Sequence, residues 1–184
     1  MKKIVMLLFV GLATIGCSKD DETTPAPTNT NSLKVYKYPS NAEIVNNDVI
    51  VFSGSAGLVD PTNALKFYFK NTSTSEMKVK MRIVSISGVS NLDLTTFCYG
   101  PNLNDGVCAS GSALAIGAGY PKNNEAQIIV PANGTAGTGG ANKFQSTATP
   151  VSPATAVDYV IEAYQINTSG SEVGNKVRFT YRYQ

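Results

Sequence analysis

Met77-Lys78-Val79-Lys80-Met81-Arg82-Ile83-Val84-Ser85-Ile86 alternates apolar and cationic side chains through its first seven positions. Successive side chains of a β-strand point to opposite faces. The run therefore predicts a strand with Met77, Val79, Met81 and Ile83 on a core and Lys78, Lys80 and Arg82 in water.

The same period of two recurs along the chain, whereas helical periodicity is hard to find. Leu33–Tyr38, Asp48–Phe52, Leu65–Asn71, Leu92–Tyr99, Glu125–Val130, Lys143–Ala148, Val157–Ile166 and Lys176–Tyr183 read as further strands. Turn formers punctuate them, among them Gly54-Ser55-Ala56-Gly57, Asn71-Thr72-Ser73, Gly100-Pro101-Asn102, Asn123-Asn124 and Asn133-Gly134. Asn167-Thr168-Ser169-Gly170-Ser171 makes a hairpin loop between the last two strands. Asp60–Ala64 reads as the start of a helical turn, and Ser110–Gly119 as a small helix or a buried strand. There is no internal repeat. Short strands at this spacing predict an all-β protein, an antiparallel sandwich or barrel.

Ser53-Gly54, the F-x-F-x-N-x-S stretch at Phe67–Ser73 and the closing Lys176-Val177-Arg178-Phe179-Thr180-Tyr181 resemble strands of immunoglobulin-like or fibronectin-like modules. The resemblance implies an immunoglobulin-like β-sandwich over residues 33–184, with a jelly roll as the alternative. The tryptophan of immunoglobulin domains is missing, and Cys98 and Cys108 are too close in sequence to pin two sheets.

The chain begins MKKIVMLLFVGLATIG, and Cys17 follows. Two lysines lead an apolar run of about a dozen residues, short of the ~20 that span a bilayer as a helix. Thr14-Ile15-Gly16-Cys17 resembles the lipobox of bacterial lipoproteins, although leucine is commonest where Thr14 stands. This implies a signal peptide over 1–16, removed as Cys17 is lipidated; the alternative is a plain secreted protein. Residues 17–32 contain no apolar side chain larger than alanine after the cysteine and read as a flexible tether. Ser18-Lys19-Asp20-Asp21-Glu22 resembles the acidic export signal of lipoproteins of the Bacteroidota. It implies an outer-membrane lipoprotein facing the cell exterior, with the membrane as a partner through its lipid.

The full chain carries 15 basic and 13 acidic side chains. Removing residues 1–16 removes Lys2, Lys3 and no acid, so the mature chain is formally neutral. A dispersed, neutral charge set argues against a nucleic-acid partner. With Cys17 lipidated, Cys98 and Cys108 form an even pair in an oxidising compartment, and a disulfide is expected. A loop this short stabilises by about 2–3 kcal/mol on the chain-entropy model. The chain has no histidine, which removes triad hydrolases, thiol–imidazole catalysis and most zinc sites.

Inside the domain, the loop from Cys98 to Cys108 is the most distinctive feature. It reads either as a stapled hairpin or as a recognition loop displaying Tyr99, Asn102, Asn104 and Asp105. The same loop lacks the alternating oxygens and terminal glutamate of a calcium loop, so no metal is expected. Acids are scattered singly, unlike the paired carboxylates of glycosidases. Gly134–Gly140 has the glycines of a phosphate loop without its lysine. No cofactor and no enzymatic activity are expected. Tyr36, Tyr38, Tyr181 and Tyr183 alternate with cations and offer a platform for sugar rings, or simply suit a sheet. Two functions follow: a binding or adhesion module for an extracellular protein or glycan, or a structural or accessory subunit of a fimbrial or secretion-associated assembly that pairs through a sheet edge.

Overall fold

In the computed structural model, which describes residues 31–52, 64–89, 91–146 and 156–184, Met77–Ser87 is an eleven-residue strand. Its Met77, Val79, Met81 and Ile83 are buried, as the alternation requires. Twelve strands are described: β1 (Leu33–Lys37), β2 (Glu43–Ile44), β3 (Val49–Phe52), β4 (Leu65–Asn71), β5 (Met77–Ser87), β6 (Thr95–Tyr99), β7 (Val107–Ser110), β8 (Ile128–Val130), β9 (Thr135–Ala136), β10 (Asn142–Ser146), β11 (Val157–Ile166) and β12 (Glu172–Tyr183). No α-helix occurs among the described residues; Gly111–Ala113 is a single 3₁₀ turn, and Thr138–Gly140 is a tight turn in which Gly139 is left-handed, with φ +76°.

Seven strands form the first sheet, in the order β2-β1-β4-β10-β6-β7 with β9 also on β4; five form the second, β3-β12-β11-β5-β8. All described pairings are antiparallel except one. The chain leaves the first sheet after β2 and crosses to the second, where β3 runs parallel to β12. The architecture is an immunoglobulin-like β-sandwich, and the jelly-roll alternative falls with it. The reason lies in this crossover: one N-terminal segment borders both sheets.

The two inner faces meet in one core. Leu33, Val35, Phe67, Phe69, Phe97 and Phe144 of the first sheet face Val79, Met81, Ile83, Tyr159, Ile161, Phe179 and Tyr181 of the second. The disulfide between Cys98 and Cys108 joins register partners within the first sheet and does not link the two sheets.

Several sequence expectations change: the strands expected at Leu92–Tyr99 and Glu125–Val130 start only at Thr95 and Ile128. Ser110–Gly119 is neither helix nor buried strand, but a 3₁₀ turn and an irregular return of which only Leu114 is buried. That return runs along β5, where Gly117 donates to the Ile83 carbonyl and Tyr120 exchanges both backbone hydrogen bonds with Met81. Lys80 is therefore 9% exposed rather than in water, with Nζ donating to Asn123 Oδ1 at 2.9 Å. Its pKa is lowered, first by burial and then by Lys78. Gly119 makes this crossing feasible, because a Cβ there would lie 2.4 Å from the Tyr164 hydroxyl. The Gly54–Gly57 turn, the Asp60 turn apart from Ala64, and the end of the Lys143–Ala148 strand lie outside the described residues.

β12 starts earlier than its apolar alternation, at Glu172, because a bulge carries it around the hairpin. Between Tyr164 and Gln165 the register jumps from Lys176 to Val173, leaving Gly174 and Asn175 unmatched. Gly174 takes a φ of +66°, and a Cβ there would meet the Gln165 amide at 2.6 Å. The bulge frees Asn175 to act as a strand partner across the sandwich: its Oδ1 accepts from the Leu33 N–H at 3.0 Å and its Nδ2 donates to the Leu33 carbonyl at 2.9 Å. Asn175 thus ties the first residue of β1 to the opposite sheet.

Replacing it with alanine, Asn175→Ala, strands both backbone groups of Leu33. The expected cost is about 1–2 kcal/mol in urea unfolding followed by far-UV circular dichroism. A loss under about 0.3 kcal/mol would show that the clasp is not structural.

Candidate functional site

Strand directions decide what each end of the sandwich offers. Leu33 opens β1 opposite Asn71, the end of β4. Met77, Val130, Ile166 and Glu172 lie at the same end, and Tyr183 at the other. The loops 72–76, 100–106 and 167–171 thus gather where the chain enters the domain.

The Cys98–Cys108 loop is at this entry end, and its contents are mostly committed to its own shape. Tyr99 is not displayed: it is 1% exposed, with its ring against Phe97 and Tyr120 and its hydroxyl donating to Glu125 Oε1 at 3.3 Å. Its pKa is raised, by burial first and by Glu125 next. The alternation of β6 turns it inward with Thr95 and Phe97, while Thr96 and Cys98 point outward. Asn102 Oδ1 accepts from the backbone N–H groups of Asn104 and Asp105, and its Nδ2 donates to Asp105 Oδ2 at 2.8 Å. Asn102 and Asp105 close an Asx turn. Asn102, Asn104 and Asp105 are exposed, but Tyr99 does not join them. No three metal-ligating side chains cluster among the described residues.

A groove of about 710 Å³ occupies the same end, between the 72–76 loop and the β11–β12 hairpin. Met77, Ile129, Ile166 and Val173 supply its apolar lining; Ser32, Thr72 and Asn167 belong to its polar part.

The tyrosine pairs split. Tyr181 and Tyr183 face inward and are buried. Tyr36 faces outward from β1 and stacks on Tyr68 of β4, ring centroids 5.5 Å apart and planes 19° apart. Tyr68 donates to Asn41 Oδ1 at 3.1 Å and Tyr36 to Glu43 Oε2 at 3.4 Å. Phe67 and Phe69 alternate with Tyr68, and this spacing put Tyr68 within reach of sequence reasoning.

The outer face of the second sheet carries an ion ladder that the sequence alone did not reveal. Glu162 of β11 sits in register with Arg82 of β5 and Arg178 of β12. Arg82 donates through Nε to Oε1 at 2.9 Å, with a second contact through Nη2; Arg178 donates to Oε2 through Nε at 2.9 Å and Nη2 at 2.6 Å. Glu172 bonds the far side of Arg82 and pairs with Lys176. Arg82 also lies over the Tyr164 ring, 4.5 Å from its centroid. Two rows further, past Val160 and Thr180, Asp158 and Arg182 form a bidentate pair, both bonds 2.7 Å. The sequence contains a trace of the ladder in Asp158, Glu162, Arg178 and Arg182, all at outward positions. Finding it requires the register of three strands.

No family model matches the chain, and no curated protein matches it in sequence. Among solved structures, the N-terminal domain of PorA is similar with a TM-score of 0.43 at 12% identity, over 83% of this chain and 98% of that one. The ASH / PapD-like domain of human CEP192 (PapD-like domain 7) gives a TM-score of 0.36 at 12% identity, over 100% of this chain and 96% of that one. Likeness of this degree says nothing about partners.

Glu162 is 1% exposed, and burial by itself would raise its pKa. Hydrogen bonds from Arg178 and Arg82 outweigh burial and hold the carboxyl below its ordinary range. Glu172 is lowered as well, chiefly by Arg82 and Lys176. A carboxyl whose folded pKa lies below its unfolded value stabilises the fold above the unfolded value, about 4.3, and loses that contribution as pH falls below it. Glu162→Gln should therefore cost about 1–3 kcal/mol near neutral pH. The gap between wild type and variant should narrow as pH falls from about 5 to 3. Urea titrations across that window check this; a gap independent of pH would contradict the assignment.

Proposed function

We propose that this protein is a lipid-anchored, non-enzymatic β-sandwich module of a bacterial cell envelope. It is displayed outward from the outer membrane and binds an extracellular protein or glycan. The observation that carries the reading is the N-terminal sequence, Thr14-Ile15-Gly16-Cys17 followed by Ser18-Lys19-Asp20-Asp21-Glu22. Cys17 and its neighbours lie outside the described residues. Support comes from the junction: linker composition ends where β1 begins, and Leu33 is clasped at once by Asn175. In this reading the entry end, with its groove and disulfide loop, faces the anchor. The opposite end and the two outer sheet faces then turn to the surroundings.

The non-enzymatic part is supported by the state of the acids. Glycoside hydrolysis needs one carboxyl kept protonated opposite a second. The two carboxylates that share Arg82, Glu162 and Glu172, both titrate below their ordinary range and lie on a sheet face.

One observation favours the second reading, an assembly subunit. β3 is an edge strand, with no neighbour beyond it among the described residues, and its Val49 and Val51 are each 49% exposed. An apolar edge is suited to strand addition.

Cys17→Ala should move the protein from the membrane to the soluble fraction, and its retention in membranes would overturn the lipid anchor. Protease treatment of intact cells should degrade the wild-type domain. Full protection with an intact anchor would place it on the periplasmic side.

A further inference from the structure

The two outer faces follow opposite rules of charge pairing. On the second sheet every charged residue that meets another in register across β5, β11 and β12 meets the opposite sign: Arg82 with Glu162, Glu162 with Arg178, Asp158 with Arg182. All three arginines of the chain are engaged there. On the first sheet, Lys34 of β1 stands opposite Lys70 of β4, and Lys66 of β4 opposite Lys143 of β10. Like charges directly opposite on one face destabilise a sheet. Glu43 relieves Lys34 at 2.9 Å, but Lys66, Lys70 and Lys143 make no ion pair among the described residues. The neutral total therefore conceals a cationic face, and the charge set is not dispersed.

The two lysine pairs bracket the Tyr36–Tyr68 stack, since Tyr36 and Tyr68 are also register partners. Along β4, Lys66 and Lys70 flank Tyr68 and lie about 13 Å apart along the strand, at ~3.3 Å per residue. The arrangement is repetitive and lies on a sheet face, unlike the concave sites that take small ligands. Phenol rings offer apolar area and hydroxyls side by side, which suits sugar rings. Lysines without arginine offer point charges, whereas the arginine fork is the usual choice for phosphates and nucleic acids.

We propose that the outer face of the first sheet, centred on Lys66, Tyr68, Lys70 and Lys143, binds an acidic polysaccharide whose carboxylates alternate with sugar rings. The inference names the ligand class of the binding module proposed above and rests on that reading. The like-charged pairs are the stability cost of keeping cations available, and a bound polyanion relieves the repulsion.

The test uses the full chain in non-ionic detergent with three probes: sodium polygalacturonate, its neutral methyl ester, and a single-stranded oligonucleotide of matched charge. Polygalacturonate should bind, the methyl ester should not, and log K should fall with log salt at a slope of about −2 for three engaged cations. The double variant Lys66→Gln/Lys143→Gln should weaken binding by about tenfold or more at low salt, with an equal or higher melting temperature. Lys78→Gln, on the other sheet, should leave binding unchanged. No binding of polygalacturonate, undiminished binding by the double variant, or equal affinity for the oligonucleotide would each overturn the proposal. Failure here is separable from failure of the envelope reading, because binding in solution does not depend on the anchor and membrane release does not depend on the polymer.

Discussion

Ring packing between the two sheets is the interaction on which the rest of this structure depends. Phe144 of β10 reaches across to Tyr159 and Tyr181, with centroids 5.0 and 5.2 Å away, and touches Phe97 of its own sheet at 5.6 Å. Phe67 meets Phe179 from the other side at 5.7 Å. Such pairs add about 0.5–1.5 kcal/mol each beyond their buried area. They do the work that a tryptophan and an inter-sheet disulfide do in immunoglobulin domains. The phenolic hydroxyls inside must be partnered, and Tyr159 meets the Ser146 hydroxyl at 2.7 Å.

A core this crowded commits every inward position to packing. Recognition is then left to the outer faces, the edges and the ends. The two outer faces differ in how they handle charge. One closes its charges into a ladder around a buried glutamate, stiffening three long strands. The other leaves lysines opposite lysines beside a pair of tyrosines. Such like-charged pairs cost stability, and an alternating sequence can place opposite charges there as easily as like ones. The ends differ as well, since the chain enters beside the groove and the disulfide loop and leaves at the other end.

Much of the fold was legible because the period of two survives in single strands. Val157–Ile166 was delimited to the residue, and β5 sorted its faces as its alternation indicates. The misreadings share a cause. Whether Lys80 meets water depends on the 111–127 return packing along β5, forty residues away in sequence. Tyr99 borders the disulfide loop, yet the alternation of β6 that buries Thr95 and Phe97 turns it inward. Of the two readings of Tyr181 and Tyr183, a sugar platform or residues that simply suit a sheet, the second holds, because they share the inner face with Val177 and Phe179. The ion ladder and the lysine pairs needed register between strands, which depends on bulges and crossovers rather than on composition.

The central claim is that the lysines of the first sheet are kept opposite one another at a cost in stability. Lys143→Glu converts the Lys66–Lys143 pair into one of opposite sign and leaves the core untouched. Urea unfolding at low ionic strength should show the variant more stable by about 0.2–1 kcal/mol. The gain should shrink at 1 M salt as the charges are screened. A variant no more stable than wild type at low salt would contradict the account.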